Sequence, residues 1–445
     1  MESGNFELNV ARFIVEKTDM SLFLTGKAGT GKTTFLREVV RNTKKKCIVL
    51  APTGIAAVNA GAMTIHSFFQ FGLGPFVQGV IEPKSDFRIN KSKLELIRNL
   101  QLLIIDEVSM VRADLMDHID VELRRIRRNS KPFGGVQLLM IGDLQQLPPI
   151  AHGSEDDLLR QYYKTLYFFS SAALKSMKYS CIELKNVYRQ TDRHFIDILN
   201  RARECTLTYQ DIADLNDRFI PGFSPKPEEG YIRLMTHNRQ VDNINETELA
   251  KLDSHAYTFE AAVTGTFPEE SFPTANSLTL KKGAQVMFIK NDPERRFING
   301  TLGEVRSIDK NSIAVRLAES GKTIDVEPME WQNIRYQFDE ESKEISSKQI
   351  GRFKQYPLKA AWAITIHKSQ GLTFDKAIVD VHAAFSPGQA YVALSRCRTL
   401  EGLVLSAPIC ASVFRKDNAV DAFLSYIYCP VEELAFSSGY EYFEY

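Results

Sequence analysis

The sequence is short of three things. It has no excess of charge: 55 Lys and Arg stand against 55 Asp and Glu in 445 residues, a formal net charge of zero. No whole-molecule field draws it to a polyanion, so any nucleic-acid surface must be locally basic. Basic clusters exist at Lys44-Lys45-Lys46 and at Arg124-Arg125 and Arg127-Arg128 with Lys131, and each also fits a plain solvated face. Cysteine is sparse and scattered: Cys47, Cys181, Cys205, Cys397, Cys410 and Cys429 form no CxxC pair. That argues against a zinc ribbon or iron–sulfur site and fits a reducing compartment. Long apolar runs are missing too, and the start, Met1-Glu-Ser-Gly-Asn5, is polar and acidic rather than a basic lead into an apolar segment. The expectation is a cytoplasmic protein with no membrane partner.

What is present begins at Leu22-Phe-Leu-Thr-Gly-Lys-Ala-Gly-Thr-Gly-Lys-Thr33. An apolar strand runs into G-x-x-x-x-G-K-[ST], the phosphate-binding loop. Gly26, Gly29 and Gly31 let the backbone curl so that N–H groups face phosphate oxygens. Lys32 brings positive charge to the β/γ-phosphates, and the Thr33 hydroxyl suits Mg²⁺. A helix over Thr33–Arg41 would offer its positive end to the same anion. The bland reading is a glycine-rich turn that binds nothing.

A second element supports the first. Leu102-Leu-Ile-Ile105 reads as a buried parallel strand that ends in Asp106-Glu107. Open α/β sheets bind ligands at the carboxyl ends of their strands. There Asp106 can hold Mg²⁺ through its water shell and Glu107 can polarise an attacking water. Val136–Ile141 reads as the next strand, followed by Gly142-Asp-Leu-Gln-Gln146-Leu-Pro-Pro149, a loop by pattern. An amide such as Gln146 beside the γ-phosphate could report its presence.

At 445 residues the chain has room for two to four domains. Strands alternate with helices up to about residue 178, which predicts a doubly wound parallel sheet. A second α/β region starts at Cys181-Ile-Glu-Leu184 and resumes after Pro357. It has no phosphate loop of its own. Between its halves, short β-rich pieces from about Glu260 read as a small barrel. Ala360 to Gly371 reads as helical at first and then as a loop, Lys376–Val381 as a strand, Gln389–Arg396 as a helix and Gly402–Leu405 as the last strand. One loop shared by two α/β domains places a nucleotide in the cleft between them, with Arg189 and Arg396 as arginine fingers. Each arginine alone also fits a surface salt bridge.

The motif series resembles the superfamily 1 DNA helicases, specifically the RecD-like, petite integration frequency (Pif) family. The resemblance rests on the phosphate loop, Ala51-Pro-Thr-Gly-Ile-Ala-Ala57, Thr64-Ile-His-Ser-Phe68, Ile105-Asp-Glu-Val-Ser-Met110 and Gly142–Pro149. It continues through Leu184-Lys-Asn-Val-Tyr-Arg-Gln190, Ile364-Thr-Ile-His-Lys-Ser-Gln-Gly-Leu-Thr373 and Tyr391-Val-Ala-Leu-Ser-Arg396, so that it spans residues 9 to 405.

The resemblance implies an α/β fold of two RecA-like parallel-sheet domains: 1A at 1–65 and 91–178, and 2A at 179–258 and 358–410. It also implies a wedge insertion 1B at 66–90, an SH3-like domain 2B at 259–357 and a helical tail at 411–445. It implies ATP and Mg²⁺ as cofactors and 5′-to-3′ translocation on single-stranded DNA with unwinding of tailed or forked duplexes. G-quadruplexes are a further family substrate. A monomer when free and a nucleoid location go with it. The nucleotide would meet Gly26, Ala28, Gly29, Thr30, Gly31, Lys32, Thr33, Thr34 and Gly371. Asn9 takes the place of a Gln that reads adenine, with one methylene less reach. The strand would meet Pro52, Thr53, Thr64, His66, Ser67, Phe68, Thr236, His237, Thr365, His367 and Lys368, with Phe68 stacking on bases. For each hydroxyl or imidazole, capping a helix is the bland alternative.

Sequence physics does not fix polarity, so a 3′-to-5′ helicase of the same superfamily stays open. An ATP-switched clamp that binds nucleic acid without unwinding also stays open, as does the helicase half of a larger nuclease or relaxase complex.

Overall fold

The structure, a computed structural model, describes residues 6–72, 74–82, 91–151, 153–190, 192–226, 229–269, 272–309, 312–338, 345–427 and 431–438. The chain forms two compact units. The first takes the chain up to Arg189, Tyr336–Ser347 and the stretch from Lys416; the second takes Gln190–Arg335 and Lys348–Arg415.

In the first unit the elements run α1 (Phe6–Lys17), β1 (Ser21–Gly26), α2 (Lys32–Asn42), β2 (Cys47–Ala51), α3 (Gly54–Ala60), β3 (Met63–Thr64) and α4 (Ile65–Phe69). They continue with α5 (Lys91–Asn99), β4 (Leu102–Ile105), α6 (Ala113–Arg127), β5 (Gln137–Ile141), α7 (Ser154–Leu159), α8 (Ala172–Lys175) and β6 (Tyr179–Leu184). The strands form one parallel sheet in the order β3-β2-β4-β5-β1-β6. β1, β4 and β5 are buried along their whole length, as unbroken apolar runs require when helices cover both faces. The pleat then sorts the side chains. Leu22 and Leu24 join Ile104 and Leu139 beneath α1 and α2, whereas Phe23 joins Ile105 and Met140 beneath α5 and α6.

β6 corrects the expected domain boundary at residue 179. It pairs with β1 from Ser21↔Tyr179 to Gly26↔Leu184, inside the first sheet. Without it one edge of the most buried strand would carry unpaired N–H and C=O groups. Periodicity identifies a strand but not the sheet it joins.

The helical tail also belongs here. α13 (Asn418–Ile427, numbered after the second unit's helices) stacks Phe423 on Phe169 with ring centroids 4.2 Å apart, and Leu434 of α14 (Val431–Ser438) sits in the core with α1. Of the wedge segment, residues 73 and 83–90 lie outside the described residues. The rest is anchored on α6: the His118 ring lies between Phe71 at 3.5 Å and Phe76 at 4.0 Å, nearly parallel to both. Burial pushes that imidazole down to about 4, so it packs as a neutral aromatic.

The second unit holds α9 (Arg193–Glu204), α10 (Tyr209–Asn216), β7 (Ile232–Met235), α11 (Asn238–Ala250), β8 (Ala256–Glu260), β9 (Ala262–Gly265) and β10 (Ser277–Lys281). It continues with β11 (Gln285–Phe288), β12 (Leu302–Ile308), β13 (Ile313–Leu317), β14 (Thr323–Val326), β15 (Met329–Phe338) as far as Arg335, β16 (Ile345–Gln355) from Lys348 on, and β17 (Leu358–Ala360). β18 (Ala363–Thr365), β19 (Ala377–Val379), α12 (Gln389–Leu394) and β20 (Leu403–Leu405) close it. A parallel sheet runs β18-β7-β19-β20, and an antiparallel one runs β14-β13-β12-β11-β17 over a core of Val286, Phe288, Val305, Val315 and Leu358.

The helical reading of Ala360 to Ile366 is wrong: the stretch contributes to two strands, β17 and β18. α11 supplies the reason. The Asn245 side chain accepts from the Trp362 and Ala363 N–H groups and donates to the Ala363 carbonyl, while β7 pairs along β18. A short apolar run takes the state its hydrogen-bond partners impose. Among the described residues no helix is long and apolar enough to cross a membrane.

Phe423→Ala removes a half-buried ring stacked on Phe169 and next to Phe23. It should cost about 2 kcal/mol and lower the melting temperature of the first unit. An unchanged melting curve would show the tail to be energetically idle.

Candidate functional site

The phosphate loop hangs from the carboxyl end of β1. Gly26 has φ +150°, and a Cβ there would come within 2.8 Å of both the Leu184 carbonyl and the Thr30 hydroxyl. Gly29 and Gly31 are left-handed, at φ 81° and 88°. The fully buried Thr30 donates to the Lys27 carbonyl at 2.9 Å and closes the loop from within. Gly31 starts α2 without a side-chain cap, and the first helical bond is Phe35 N–H to Gly31 O at 2.9 Å. The N–H groups of Lys32, Thr33 and Thr34 thus precede any helical acceptor, at the positive end of the helix. The Lys32 ammonium donates to the carbonyls of Gly26 (2.5 Å) and Lys27 (2.9 Å), while Thr33 and Thr34 are exposed.

Asp106 follows β4. Its carboxylate accepts from the Glu107 N–H at 3.0 Å. Burial first, and the Glu107 charge second, push the Asp106 carboxyl up to about 7, against the pull of Lys32 and Arg37. Glu107 sits at φ 51°, ψ 43°, a left-handed conformation that costs a non-glycine residue about 1 kcal/mol or more. A carboxylate pair that destabilises its own charge in a buried place suits a cation. No cluster of three or more His, Cys, Asp or Glu able to hold a metal exists among the described residues. Two carboxylates could serve an ion that brings its other oxygen ligands with it, as Mg²⁺ on a nucleotide does.

Gln146 lies in a tight turn after β5. Its amide donates to Asp143 at 3.2 Å, and both residues are buried. Arg189 corrects an expectation. It belongs to the first unit, one residue after Tyr188, whose N–H donates to the Gly29 carbonyl at 2.8 Å. Its own sheet, through β6, brings it beside the phosphate loop. Arg396, in the second unit, is 2% exposed and donates to Val392 O, Leu372 O and the Ser395 hydroxyl. In that state its guanidinium is engaged within its own unit rather than extended as a finger. Asn9 is half-buried on α1, and Gly371 is exposed at φ 76° in the second unit.

A family model described as PIF1-like helicase matches residues 6–211. The ATP-dependent DNA helicase Pif1 of Bdellovibrio bacteriovorus is 32% identical over 391 residues, 86% of this chain and 84% of that protein. The chain belongs to the Pif1-like helicases. The crystal structure of Bacteroides sp. Pif1 in complex with ADP-AlF4 is 39% identical, with a TM-score of 0.86 over 98% of this chain and 97% of that one. Bacteroides Pif1 in complex with ADP-AlF3 and single-stranded DNA is also 39% identical, at a TM-score of 0.70 over 99% of each chain. Longer relatives exist: the chain spans 58% of the length of the Danio rerio Pif1 helicase. As a Pif1-like helicase the protein is an ATP-dependent enzyme built on two RecA-like domains.

The candidate strand contacts of this helicase share one device. The Thr53 hydroxyl accepts from the Ala56 N–H at 3.2 Å, Thr64 from Ser67 at 3.2 Å and Thr365 from Lys368 at 3.3 Å. Each thus caps a turn at the carboxyl end of a strand; Thr53 and Thr64 are half-buried and can turn their O–H protons to an outside acceptor, whereas Thr365 is buried. Thr236 instead bonds His237 Nδ1 at 2.7 Å. Pro52, His66 and His367 are half-buried, Ser67, His237 and Lys368 exposed. Burial holds the His66 and His367 imidazoles below their ordinary range, with Arg112 adding to the effect at His66.

Phe68 does not fit its expected role as a base-stacking ring. It is 1% exposed and packs edge-on against Phe69, because Ile65, Phe68 and Phe69 form the core-facing side of α4. Lys359 on β17 is half-buried. Burial, with Lys368 second, pushes its ammonium down to about 8.

The Asp106 carboxyl predicts a sign. Its folded pKa lies above the unfolded value, so the folded state holds the extra proton between the two. Stability then falls as pH rises from about 4 through 7. With nucleotide and metal withheld, Asp106→Asn should melt higher than the native chain at pH 8, and the gap should close towards pH 5. A gap independent of pH would contradict the assignment.

Proposed function

We propose that this chain hydrolyses ATP to move 5′-to-3′ along single-stranded DNA and to open tailed or forked duplexes. One observation carries the reading. A single parallel sheet ends in the phosphate loop on β1, Asp106-Glu107 on β4 and the Gln146 turn on β5, and in the polar caps Thr53 on β2 and Thr64 on β3. Nucleotide chemistry and strand contact then lie on neighbouring ends of one rigid body.

In this reading the N–H groups from Gly29 to Thr34 and the Lys32 ammonium take the β/γ-phosphates. Taking up phosphate moves Lys32 off the Gly26 and Lys27 carbonyls. Thr33 and Asp106 would hold Mg²⁺, which supplies neutralising charge to the phosphate oxygens. Glu107 orients and polarises the attacking water. Gln146 senses the γ-phosphate, and Arg189 steadies it from β6. Asn9 contacts the base. The Bacteroides relative's complex with single-stranded DNA supports the strand assignment. The donors on the DNA side are hydroxyls, imidazoles and Lys368, which read backbone rather than sequence. The protein works as a monomer when free, in the nucleoid.

Glu107→Gln keeps the shape and removes the charge. ATP and DNA should bind as in the native chain, while turnover falls by about a hundredfold or more. Normal turnover would remove Glu107 from the chemistry.

A further inference from the structure

We infer that Phe385 is a stacking platform for a nucleobase of single-stranded DNA, set beside His237 at the carboxyl edge of the second unit's parallel sheet. The inference rests on the strand assignment above and extends it to a residue that no motif marks.

Phe385 lies in the loop between β19 and α12 and is 52% exposed. A lone exposed phenylalanine is common and means nothing by itself. This one is held in place. Its N–H donates to Gln389 Oε1 at 3.1 Å, from a glutamine with no exposure, and its carbonyl accepts from Arg415 Nη1 at 3.1 Å. Val381 and Ala384 on the same loop are buried. The backbone is tied down on both sides, the adjacent Ala384 faces inward, and the ring is turned out to water.

Its surroundings are those of a strand contact. β7, β18 and β19 are paired neighbours, so Thr236-His237, Thr365 and the Asp380–Phe385 loop all leave the sheet at one edge. The His237 ring lies 5.4 Å from the Phe385 ring, tilted by 45°. That is too close to admit a base between them, so His237 backs one side of Phe385 and leaves its other face for a base. When the Thr236 hydroxyl donates to Nδ1, the His237 Nε2–H is left to donate to an outside acceptor such as a phosphate oxygen. A single ring among polar caps is too small a surface for a protein partner, which needs hundreds of square ångströms of apolar patch. Aromatic faces accept every base, so the contact adds affinity without sequence preference.

The test is equilibrium binding of fluorescent oligothymidylate to the full chain, with intact oligonucleotides and with copies carrying one abasic position moved along the strand. Phe385→Ala should bind the intact strand about tenfold more weakly, and Phe385→Trp should bind nearly as the native chain does. The slope of affinity against salt should not change in Phe385→Ala, because stacking releases no counterions; Lys368→Ala should make it shallower. At one register the native chain should lose affinity for the abasic strand, and Phe385→Ala should lose none further. Equal binding by Phe385→Ala and the native chain, with Lys368→Ala impaired, would overturn the stacking platform and keep the strand assignment. Failure of the native chain to bind the strand at all would overturn both.

Discussion

The structure depends on one buried strand being held on both edges. β1 pairs with β5 on one side and with β6 on the other. That double ladder leaves no slack at Gly26, where the chain must leave the sheet with a glycine-only clearance against Leu184. The phosphate loop, the uncapped start of α2 and the approach of Arg189 all inherit their positions from it. The tail contributes from below, with Phe423 and Leu434 packed into the two cores that flank β1.

Around that strand the protein stores electrostatic tension rather than removing it. Burial and the neighbouring Glu107 charge raise the cost of the Asp106 charge, and Glu107 occupies a strained backbone conformation. Lys32 folds onto the loop's own carbonyls. Each is a demand that a phosphate with its cation would meet. Binding energy drawn from relieving such demands can be directed at a chosen state of the nucleotide. Thr53 and Thr64, the proposed strand contacts, leave strands of the same sheet.

Much of this was legible in the sequence where the signal is local. The loop spacing from Gly26 to Thr33, the apolar run into Asp106-Glu107 and the strand–helix alternation each involve a few neighbouring residues, and each appears as read. What failed depended on distant partners. β6 looks like the start of a second domain until its ladder with β1 is seen. Ala360 to Ile366 looks helical until Asn245 and β7 claim its backbone. Phe68 lies in a motif of polar contacts, but its ring belongs to the i, i+3, i+4 side of a short helix that faces the core. Arg396 lies just past the end of α12, with its guanidinium on the Val392 and Leu372 carbonyls and the Ser395 hydroxyl, partners that no local pattern announces. Phe385 was missed for the opposite reason: exposure of one ring leaves no periodic trace, and only its fixed backbone sets it apart.

The most direct measurement is strand separation on two partial duplexes, one with a 5′ single-stranded tail and one with a 3′ tail, in ATP and Mg²⁺. The account predicts unwinding from the 5′ tail only, and none with Glu107→Gln on either substrate. Unwinding from the 3′ tail only would contradict the direction, and DNA-stimulated hydrolysis with neither duplex opened would contradict the helicase reading and leave a clamp.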